Sequence, residues 1–393
     1  MTRRIATGID IGTRHVKVVV IEEVADKSGR ILRVIGTGSA PARGMHQGYV
    51  VNREEAAASV LAARRVAESA SHVPIRSCFL AIGSVSLEEA RATGETIISR
   101  ADQEITDIDL ELTLKKAREA AMPAFLNRTV LHEIPLEHRV DGTRTYGQPV
   151  GMKGTRLEVV YLFITCLSQH LEGLVALAEG VDIEVIDQVA SPLAESNVIL
   201  TNDQKMRGCV LANIGAETIS TVIYDEGIPL SVKVFPAGSE QITDDLAIAF
   251  KISLEDAERV KLGRLSGVMY PRKKIDEVVS ARLTRIMQFI EKHLKNAGRR
   301  GLLPAGIIFS GGGGGTGIVS DIARSILALP ARIGEITPAS AGSATSAKFR
   351  ENAWAVAYGS ALWGLTGETE APRHSSVAKV TASIRKFFHQ FLP

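Results

Sequence analysis

The chain has 393 residues, of which 45% are hydrophobic and 23% charged, so it is a globular protein too long for one ordinary hydrophobic core. Aromatic residues make up 5% and the formal net charge is +2, so neither base stacking nor general positive charge favours nucleic acid as a partner. We expect the three cysteines to be buried and reduced, with no signal peptide and no membrane span, since no apolar run reaches the roughly 18 residues that a span needs.

The first 85 residues predict a sheet with one helix. The predicted strands cover residues 5–11, 16–21, 31–37 and 77–82. Residues 43–48 are predicted as a loop. Asn52 is expected to cap a helix that runs through Glu68, because an Asn side chain accepts a hydrogen bond from the first helical turn.

The turn between the first two strands carries Asp10, Gly12 and Thr13. We expect Gly12 to take the positive φ of a tight hairpin. Such a turn leaves backbone N–H groups free for phosphate oxygens, and a carboxylate at Asp10 can hold hydrated Mg²⁺ beside them. An ordinary hairpin with the same residues is the alternative interpretation.

Residues 85–165 have a different texture. They predict short strands, a helix over 107–122 and a closing strand over 159–165. The segment looks like a small inserted domain, because the pattern of the first 85 residues resumes after it.

The second half repeats the plan of the first. Strand 209–214 contains Asn213, Gly215 follows, and Thr218 precedes the returning strand 219–224. A third turn, rich in glycine, follows the apolar run 305–309. Its glycines include Gly311, Gly312 and Gly313. The other predicted elements are a strand at 181–186 and helices at 192–200, 241–250, 254–262, 273–296, 319–329 and 352–362.

Two phosphate-type hairpins followed by a poly-glycine turn resemble the actin, Hsp70 and sugar-kinase superfamily of ATPases. Within 85–165, the runs His-Glu-Ile-Pro-Leu-Glu from His132 and Pro-Val-Gly-Met-Lys-Gly-Thr-Arg-Leu-Glu from Pro149 resemble the inserted subdomain of the FtsA family. The resemblance covers nearly the full chain. It implies an α/β, duplicated actin-like (ribonuclease-H-like) two-lobe fold with an inserted small α+β subdomain and a C-terminal amphipathic helix.

The resemblance also implies domain boundaries. They are a first lobe of 1–84 with 166–200 and 345–365, an insert of 85–165, a second lobe of 201–344 with a smaller subdomain of about 235–305, a linker of 366–374, and an amphipathic helix of 375–393. In the family the insert contacts the neighbouring subunit of a filament.

By the same resemblance, ATP and Mg²⁺ would bind between the lobes. The implied ATP-binding residues are Asp10, Gly12, Thr13, Lys17, Asn213, Gly215, Thr218, Gly238, Glu258, Lys261, Gly311, Gly312 and Gly313, with Asp10 holding Mg²⁺ through water. Lys17 is alternatively a solvated strand lysine. Glu258 and Lys261 resemble a ribose- and adenine-contacting pair, and are alternatively an i,i+3 surface ion pair.

One position departs from the superfamily pattern. The second hairpin usually carries Asp where this chain has Asn213, which accepts hydrogen bonds but brings no charge. Residues 187–192 also offer no clear base to orient an attacking water, and Gln188 is the candidate there. We therefore expect ATP binding with weak or no hydrolysis.

The C-terminal segment 375–393 has an apolar stripe at helical spacing, with basic residues beside it. The stripe is Val377, Val380, Ile384, Phe387, Phe388 and Phe391, and the basic residues are Lys379, Arg385 and Lys386. Such a helix lies in a membrane interface, where basic residues attract an anionic surface. FtsA proteins end in a helix of this kind. The alternative is a terminal helix packed on the body.

The resemblance implies an actin-like ATP-binding cell-division protein that polymerises on the inner face of the membrane and anchors the FtsZ ring there, at the division septum. Its partners would be itself, anionic lipid, other division proteins and the C-terminal peptide of FtsZ, with Arg282 on helix 273–296 contacting the peptide unless it is merely solvated. The alternatives are a PilM-like nucleotide-binding scaffold of pilus assembly, which would lack the tail, and a small-molecule kinase, which would need a catalytic Asp in the cleft. An Hsp70-type chaperone would need a further domain.

Overall fold

The computed structural model describes residues 2–26, 29–264, 270–313, 317–336 and 352–366. Its first sheet is built from strands β1 (Thr2–Ile11), β2 (His15–Asp26), β3 (Gly29–Pro41), β6 (Ser77–Ile82) and β11 (Glu184–Ala190), in the order β11-β6-β1-β2-β3. The first three strands are antiparallel, and the last two run parallel to β1. The interior strand β2 is buried on both faces from Val18 to Ile21.

The predicted helix over 52–68 is confirmed as α1 (Arg53–Ser71). Its N-cap is Asn52, whose side-chain oxygen accepts from the Glu55 backbone N–H at 3.3 Å. The predicted loop at 43–48 is in part wrong, because it contains the short strand β4 (Met45–His46), which pairs with β5 (Tyr49–Val50) just after it.

The insert is a four-stranded antiparallel sheet covered by one helix. Its elements are β7 (Glu88–Ile97), α2 (Asp107–Ala121), a 3-10 turn (Met122–Phe125), β8 (Arg128–Val140), β9 (Thr143–Thr145) and β10 (Arg156–Leu167), with strand order β7-β10-β8-β9. The predicted short strands are wrong, since three of them have 10, 13 and 12 residues. The error arises because four residues of β7, Glu88, Glu89, Arg91 and Thr93, are polar and exposed, and Gly94 interrupts its apolar pattern.

The second sheet repeats the first. Its strands are β12 (Cys209–Ile214), β13 (Ile219–Asp225), β14 (Ile228–Phe235), β15 (Ile307–Ser310) and β16 (Ala331–Ile333), in the order β14-β13-β12-β15-β16. Again three antiparallel strands are followed by two parallel ones. The predicted duplicated α/β fold is therefore confirmed in the described ranges.

The remaining helices lie around these sheets. They are α3 (Ser168–Glu179), α4 (Ser191–Ile199), α5 (Asn202–Arg207), α6 (Glu240–Phe250), α7 (Leu254–Lys261), α8 (Arg272–Asn296), α9 (Gly317–Leu327) and α10 (Ala355–Thr366), the last preceded by a 3-10 turn (Asn352–Trp354). The sequence analysis missed α5 and β16. The strand predicted at 181–186 begins only at Glu184, because Val181 and Ile183 donate to Ala178 and close the end of α3. Thr366, predicted in the linker, is helical.

Two helices, α4 and α10, cross the middle of the molecule in close contact. A Cβ at Gly359 of α10 would lie 2.0 Å from the Ala194 carbonyl oxygen of α4, and a Cβ at Gly8 of β1 would lie 2.0 Å from that of Ala357. Both helices are apolar on nearly all sides, as expected for fully buried helices. One hydrophobic core runs from the first sheet past α4 to β12–β14.

The insert also touches the second sheet. The Glu89 carboxylate accepts from the Ser231 hydroxyl at 2.9 Å and from the Val232 N–H at 2.9 Å, both on β14. The Ser231 hydroxyl lies 2.7 Å from Nε2 of His293 on α8. The insert therefore contacts the second half of the molecule through hydrogen bonds to the Glu89 carboxylate.

In the ranges that the structure describes, we find no helix with the length and apolar character of a bilayer span. The predicted linker beyond residue 366 and the helix at 375–393 lie outside the described residues.

Candidate functional site

A cavity of about 600 Å³ lies between the two sheets, where both hairpin turns face it. All of the predicted ATP-binding residues line it except Gly238 and Gly313. Strands β1 and β12 end at this cleft, so the duplicated sheets bring Asp10 and Asn213 to the same cavity. Two short motifs, about 200 positions apart in the sequence, therefore predicted residues that line one cavity.

Both hairpin turns close in the same way. The Gly12 N–H donates to the His15 carbonyl at 3.2 Å, and the Gly215 N–H donates to the Thr218 carbonyl at 2.9 Å. The expected positive φ at Gly12 is wrong. Glycine is needed there for another reason, because a Cβ would lie 2.8 Å from the His15 carbonyl oxygen.

Gly238 and Gly313 support the second hairpin from outside the cavity lining. A Cβ at Gly238 would lie 2.1 Å from the Ala216 carbonyl oxygen, so the entry to α6 packs directly on the turn. The Gly313 N–H donates to the Ile214 carbonyl at 3.0 Å. These glycines allow close backbone contacts, whereas Gly311 and Gly312 face the cleft.

Asp10 is a half-buried carboxyl at the end of β1. Burial raises its pKa, and the charge of Lys17, whose Nζ lies 3.8 Å from Oδ2, opposes that rise. Lys17 is therefore a half-buried partner of Asp10 rather than a solvated lysine. In the described ranges, no three His, Cys, Asp or Glu residues form a metal-binding group.

Glu258 and Lys261 line the cleft and also form an i,i+3 ion pair, which is mostly buried rather than on an open surface. The Lys261 Nζ lies 2.5 Å from Glu258 Oε2, which also accepts from the Thr243 hydroxyl at 2.6 Å. Burial raises the pKa of Glu258, but the hydrogen bonds from Lys261 and Thr243 lower it overall.

Arg14 is a cleft residue that the sequence analysis did not assign. It lies in the turn of the first hairpin, and its Nη1 is 3.1 Å from Glu258 Oε1 in the second lobe. The only signal in the sequence was its position beside Thr13.

A second bridge joins the lobes beside the cleft. The Glu217 carboxylate, from the second hairpin turn, accepts from the Gln47 N–H at 2.5 Å and lies 3.1 Å from His46 Nδ1. The β4–β5 hairpin, which was predicted as a loop, thus contacts the second lobe.

Glu195 is the other residue that the sequence analysis missed. It lies on α4, is 1% exposed, and both of its carboxylate oxygens are 2.9 Å from the Asn213 Nδ2. Burial raises the pKa of Glu195 to about 7, while the hydrogen bond from Asn213 opposes the rise. Glu195 was missed because a glutamate inside an apolar helical run carries no motif.

Gln188, the predicted water-orienting residue, does not line the cavity. Its place beside the cleft is taken by Ser191, the first residue of α4. Among the described residues, no hydrogen-bond partner faces the buried Ser191 hydroxyl. That hydroxyl is free to bind a ligand or a water.

The predicted peptide contact lies elsewhere, in a groove of about 500 Å³. We call this the α8 groove; it is lined by Pro236, Ala237, Gln241, Arg282, Arg285, Ile286, Gln288, Phe289 and Lys292. Arg282 is paired with both carboxylate oxygens of Asp245 at 2.7 Å. Its charge is therefore neutralised locally, whereas Arg285 and Lys292 are exposed.

The predicted membrane-binding residues cannot be placed in this way. Val377, Lys379, Val380, Ile384, Arg385, Lys386, Phe387, Phe388 and Phe391 all lie outside the described residues.

Comparison with known proteins gives consistent results for this geometry. The chain is similar to the cell division protein FtsA of Pseudomonas aeruginosa, at 29% identity over 84% of this chain and 83% of the relative. Among solved structures, it resembles a PilM-PilN type IV pilus biogenesis complex (TM-score 0.67, 18% identity, 92% of this chain and 98% of that one). It also resembles MreB5 of Spiroplasma citri bound to ADP (TM-score 0.50, 14% identity, 92% and 97%). At such identities the two solved structures establish the fold alone.

Two family models match the chain itself. The model described as cell division protein FtsA matches residues 210–359, and the model of the SHS2 domain inserted in FtsA matches residues 89–165. The second match begins and ends close to the insert predicted at 85–165. Together the two matches cover more than half of the sequence, and with the duplicated fold they establish that this chain belongs to the FtsA family of actin-like cell-division proteins.

Proposed function

We propose that this protein binds ATP and Mg²⁺ in the cleft, polymerises, and anchors the FtsZ ring to the cytoplasmic face of the cell membrane at the division septum. The observation that carries the nucleotide part is the pair of matching hairpin turns, one from each lobe, on a single cavity. The assembly and membrane parts rest on the family and on the sequence of the tail.

The cavity fits a nucleoside triphosphate in size and chemistry. Its volume of about 600 Å³ lies within the usual range of small-molecule sites. Backbone N–H groups and hydroxyls at Thr13 and Thr218 suit phosphate oxygens, and Gly311 and Gly312 let a ligand approach the backbone closely. Lys17 and Lys261 add positive charge from opposite lobes.

The donor set also fits Mg²⁺. This ion usually takes one or two carboxylates and completes its shell with water and phosphate oxygens, so the single carboxylate of Asp10 is sufficient. Asn213 supplies a neutral oxygen on the facing hairpin. When bound, the ion would neutralise charge on the phosphates.

The cleft supports binding better than hydrolysis. Among the described residues that line it, the carboxylates are Asp10 and Glu258. Asp10 is assigned to the metal, and Glu258 is already bonded to Lys261, Thr243 and Arg14. Ser191 can orient a water but is a poor base, so we expect slow turnover. Phosphate release measured with and without polymerisation checks this; fast turnover by monomers contradicts it.

The α8 groove fits an acidic peptide with apolar side chains. Phe289 is 42% exposed there, and Arg285 and Lys292 are exposed beside it. Arg282 shapes the floor through its pair with Asp245. We assign this groove to the C-terminal peptide of FtsZ, with Arg282 as a supporting residue and Arg285 as the more available charge.

The membrane part rests on residues 375–393. A basic amphipathic helix binds an anionic surface modestly, and a filament that gathers many such helices gains avidity without any new contact. Polymerisation and membrane binding therefore reinforce each other.

Titration with a fluorescent ATP analogue, in Mg²⁺ and in EDTA, tests the nucleotide proposal. We expect native protein to bind in Mg²⁺, and Asp10→Asn to weaken that binding roughly tenfold with little change in EDTA. Glu95→Gln, on an exposed strand of the insert, is the matched control and should bind like native protein. Native protein that does not bind ATP in Mg²⁺ contradicts the proposal.

A further inference from the structure

A buried carboxylate stands directly behind the cleft. Glu195 is 1% exposed, does not line the cavity, and directs both oxygens at the Asn213 Nδ2. Asn213 does line the cavity. The two residues belong to α4 and β12, so the contact is made between the crossing helix and the second hairpin.

This contact fixes which end of the Asn213 amide faces the ligand. In its ionised form, above about pH 7, Glu195 accepts hydrogen bonds and cannot donate them, so Nδ2 must point toward it. The flipped amide would place Oδ1 against the carboxylate in a buried site, which is electrostatically costly. Oδ1 instead lies beside Gly311, where a Cβ would be 2.3 Å from it. Glycine at 311 therefore leaves the room that this orientation needs.

The pair also places negative charge close to Asp10. Asp10 and Glu195 repel each other through space, and the nearby cation is Lys17, bound to Asp10 at 3.8 Å. A divalent cation bound at the phosphate end of the cleft would favour the ionised forms of these two carboxyl groups.

We propose that Glu195 is a positioning residue of the ATP site, which holds Asn213 with its carbonyl oxygen toward the Mg²⁺ and phosphate end of the cleft and supplies from behind the charge that the amide lacks. The proposal rests on the proposed binding of ATP and Mg²⁺. Glu195 acts through Asn213 and has no contact with the ligand of its own.

The variants Glu195→Gln and Asn213→Asp, alone and combined, test this assignment. A glutamine at 195 accepts or donates, so it tolerates either orientation of Asn213 and removes the charge. The double variant restores a carboxylate–amide pair with the polarity reversed. Glu133→Gln, which removes another buried carboxylate far from the cleft and paired with Arg118, is the matched control.

The readout is the Mg²⁺ concentration needed for binding of a fluorescent ATP analogue, beside binding in EDTA and thermal unfolding. We expect Glu195→Gln to raise the required Mg²⁺ concentration roughly tenfold, as removal of an outer partner of a metal site does. Binding in EDTA should change little. The double variant should regain native Mg²⁺ dependence or exceed it.

Three results overturn the proposal. One is a folded Glu195→Gln protein with native Mg²⁺ dependence. Another is equal loss of binding with and without Mg²⁺ that tracks a lower unfolding temperature, as a purely structural contact would produce and as Glu133→Gln reports. If Glu195→Gln does not fold, the double variant Glu195→Gln, Asn213→Asp tests the proposal instead. The proposal is then contradicted if the double variant needs much more Mg²⁺ than native protein to bind the analogue. Native protein that binds no ATP refutes the proposed nucleotide function itself, which distinguishes the two failures.

Discussion

Arg14 of the first hairpin and Glu258 of α7 form an ion pair across the cleft, with Nη1 3.1 Å from Oε1. Each residue lines the cavity, and each belongs to a different lobe. A ligand that enters or leaves the cavity therefore passes a contact that ties the lobes together.

We predict that Arg14→Ala speeds nucleotide release. The arginine is 43% exposed, so the pair contributes modestly, and we expect a release rate roughly twofold to fivefold faster. The measurement is a stopped-flow chase of a bound fluorescent ATP analogue. Arg259→Ala removes a comparable exposed ion pair on the same helix α7, away from the cleft, and should leave the rate unchanged. Equal release rates in the two variants would show that the Arg14–Glu258 ion pair does not slow nucleotide release.

The α8 groove makes a prediction about charge. Arg285→Glu should weaken binding of an acidic FtsZ C-terminal peptide more than Arg282→Glu does, because the charge of Arg282 is already neutralised by Asp245. Arg282→Glu should also lower the unfolding temperature, since it places two carboxylates together. Peptide titration by fluorescence anisotropy measures the affinities. The control is Arg272→Glu, exposed on the first turn of α8 and outside the groove, and native affinity in Arg285→Glu would refute the assignment.

The crossing helices predict a contrast between two helical glycines. Gly359→Ala must push α10 away from the Ala194 backbone, at a cost of about 1–3 kcal/mol or more. Gly173→Ala in α3 meets its nearest atom at 4.0 Å and should be neutral or stabilising by up to about 1 kcal/mol. Chemical denaturation measures both free energies of unfolding. A tolerated Gly359→Ala would mean that the close contact of α10 with α4 is not needed.

Buried histidines predict acid sensitivity. Burial lowers the pKa of His132, opposed by the charge of Asp187, and lowers that of His293, each to about 4. The unfolded chain takes up these protons near pH 6.5, so stability is fully present above that pH and falls as the pH drops from about 6.5 to about 4. The loss is about 3 kcal/mol for each histidine.

Urea unfolding at several pH values checks this. His293→Gln should flatten the loss of stability below pH 6.5, whereas His72→Asn, at an exposed helix C-cap, should keep the native slope. The same slope in both variants would show that His293 is not a buried neutral group.

The tail gives the prediction with the largest expected effect. Deletion of residues 375–393 should abolish co-sedimentation with anionic liposomes, because the deletion removes the apolar stripe and its basic residues. A milder variant, Lys379, Arg385 and Lys386 all changed to Gln, should lose salt-sensitive binding only. Pelleting that persists after the deletion would show that another segment holds the membrane.

The sequence predicted the cleft well because hairpin turns are local. Gly12 and Gly215 occupy equivalent positions in two short motifs, and the duplicated strand order then brings them together. Asn52 was predicted as a helix cap for the same reason, and the structure confirms it. Ser253 caps α7 in the same way. Hairpin turns and helix caps depend on neighbouring residues, so they could be predicted without knowledge of tertiary contacts.

Contacts between distant segments could not be predicted from the sequence. The role of Glu195 depends on the contact of α4 with β12, and that of Glu217 depends on its hydrogen bond with Gln47. The charge of Arg282 suggested a free peptide contact, yet Asp245, on a different helix, already binds it. A charged residue in a sequence does not reveal whether a distant partner has neutralised it.

Glu89 links the insert to the second lobe, although the insert is threaded into the chain of the first. If the lobes separated, the Glu89 carboxylate would lose its hydrogen bonds from the Ser231 hydroxyl and the Val232 N–H. The insert is therefore attached to the first lobe by the chain and to the second lobe by these hydrogen bonds. A change in the cleft that moved the lobes relative to each other would therefore also move the insert, and with it any protein bound there.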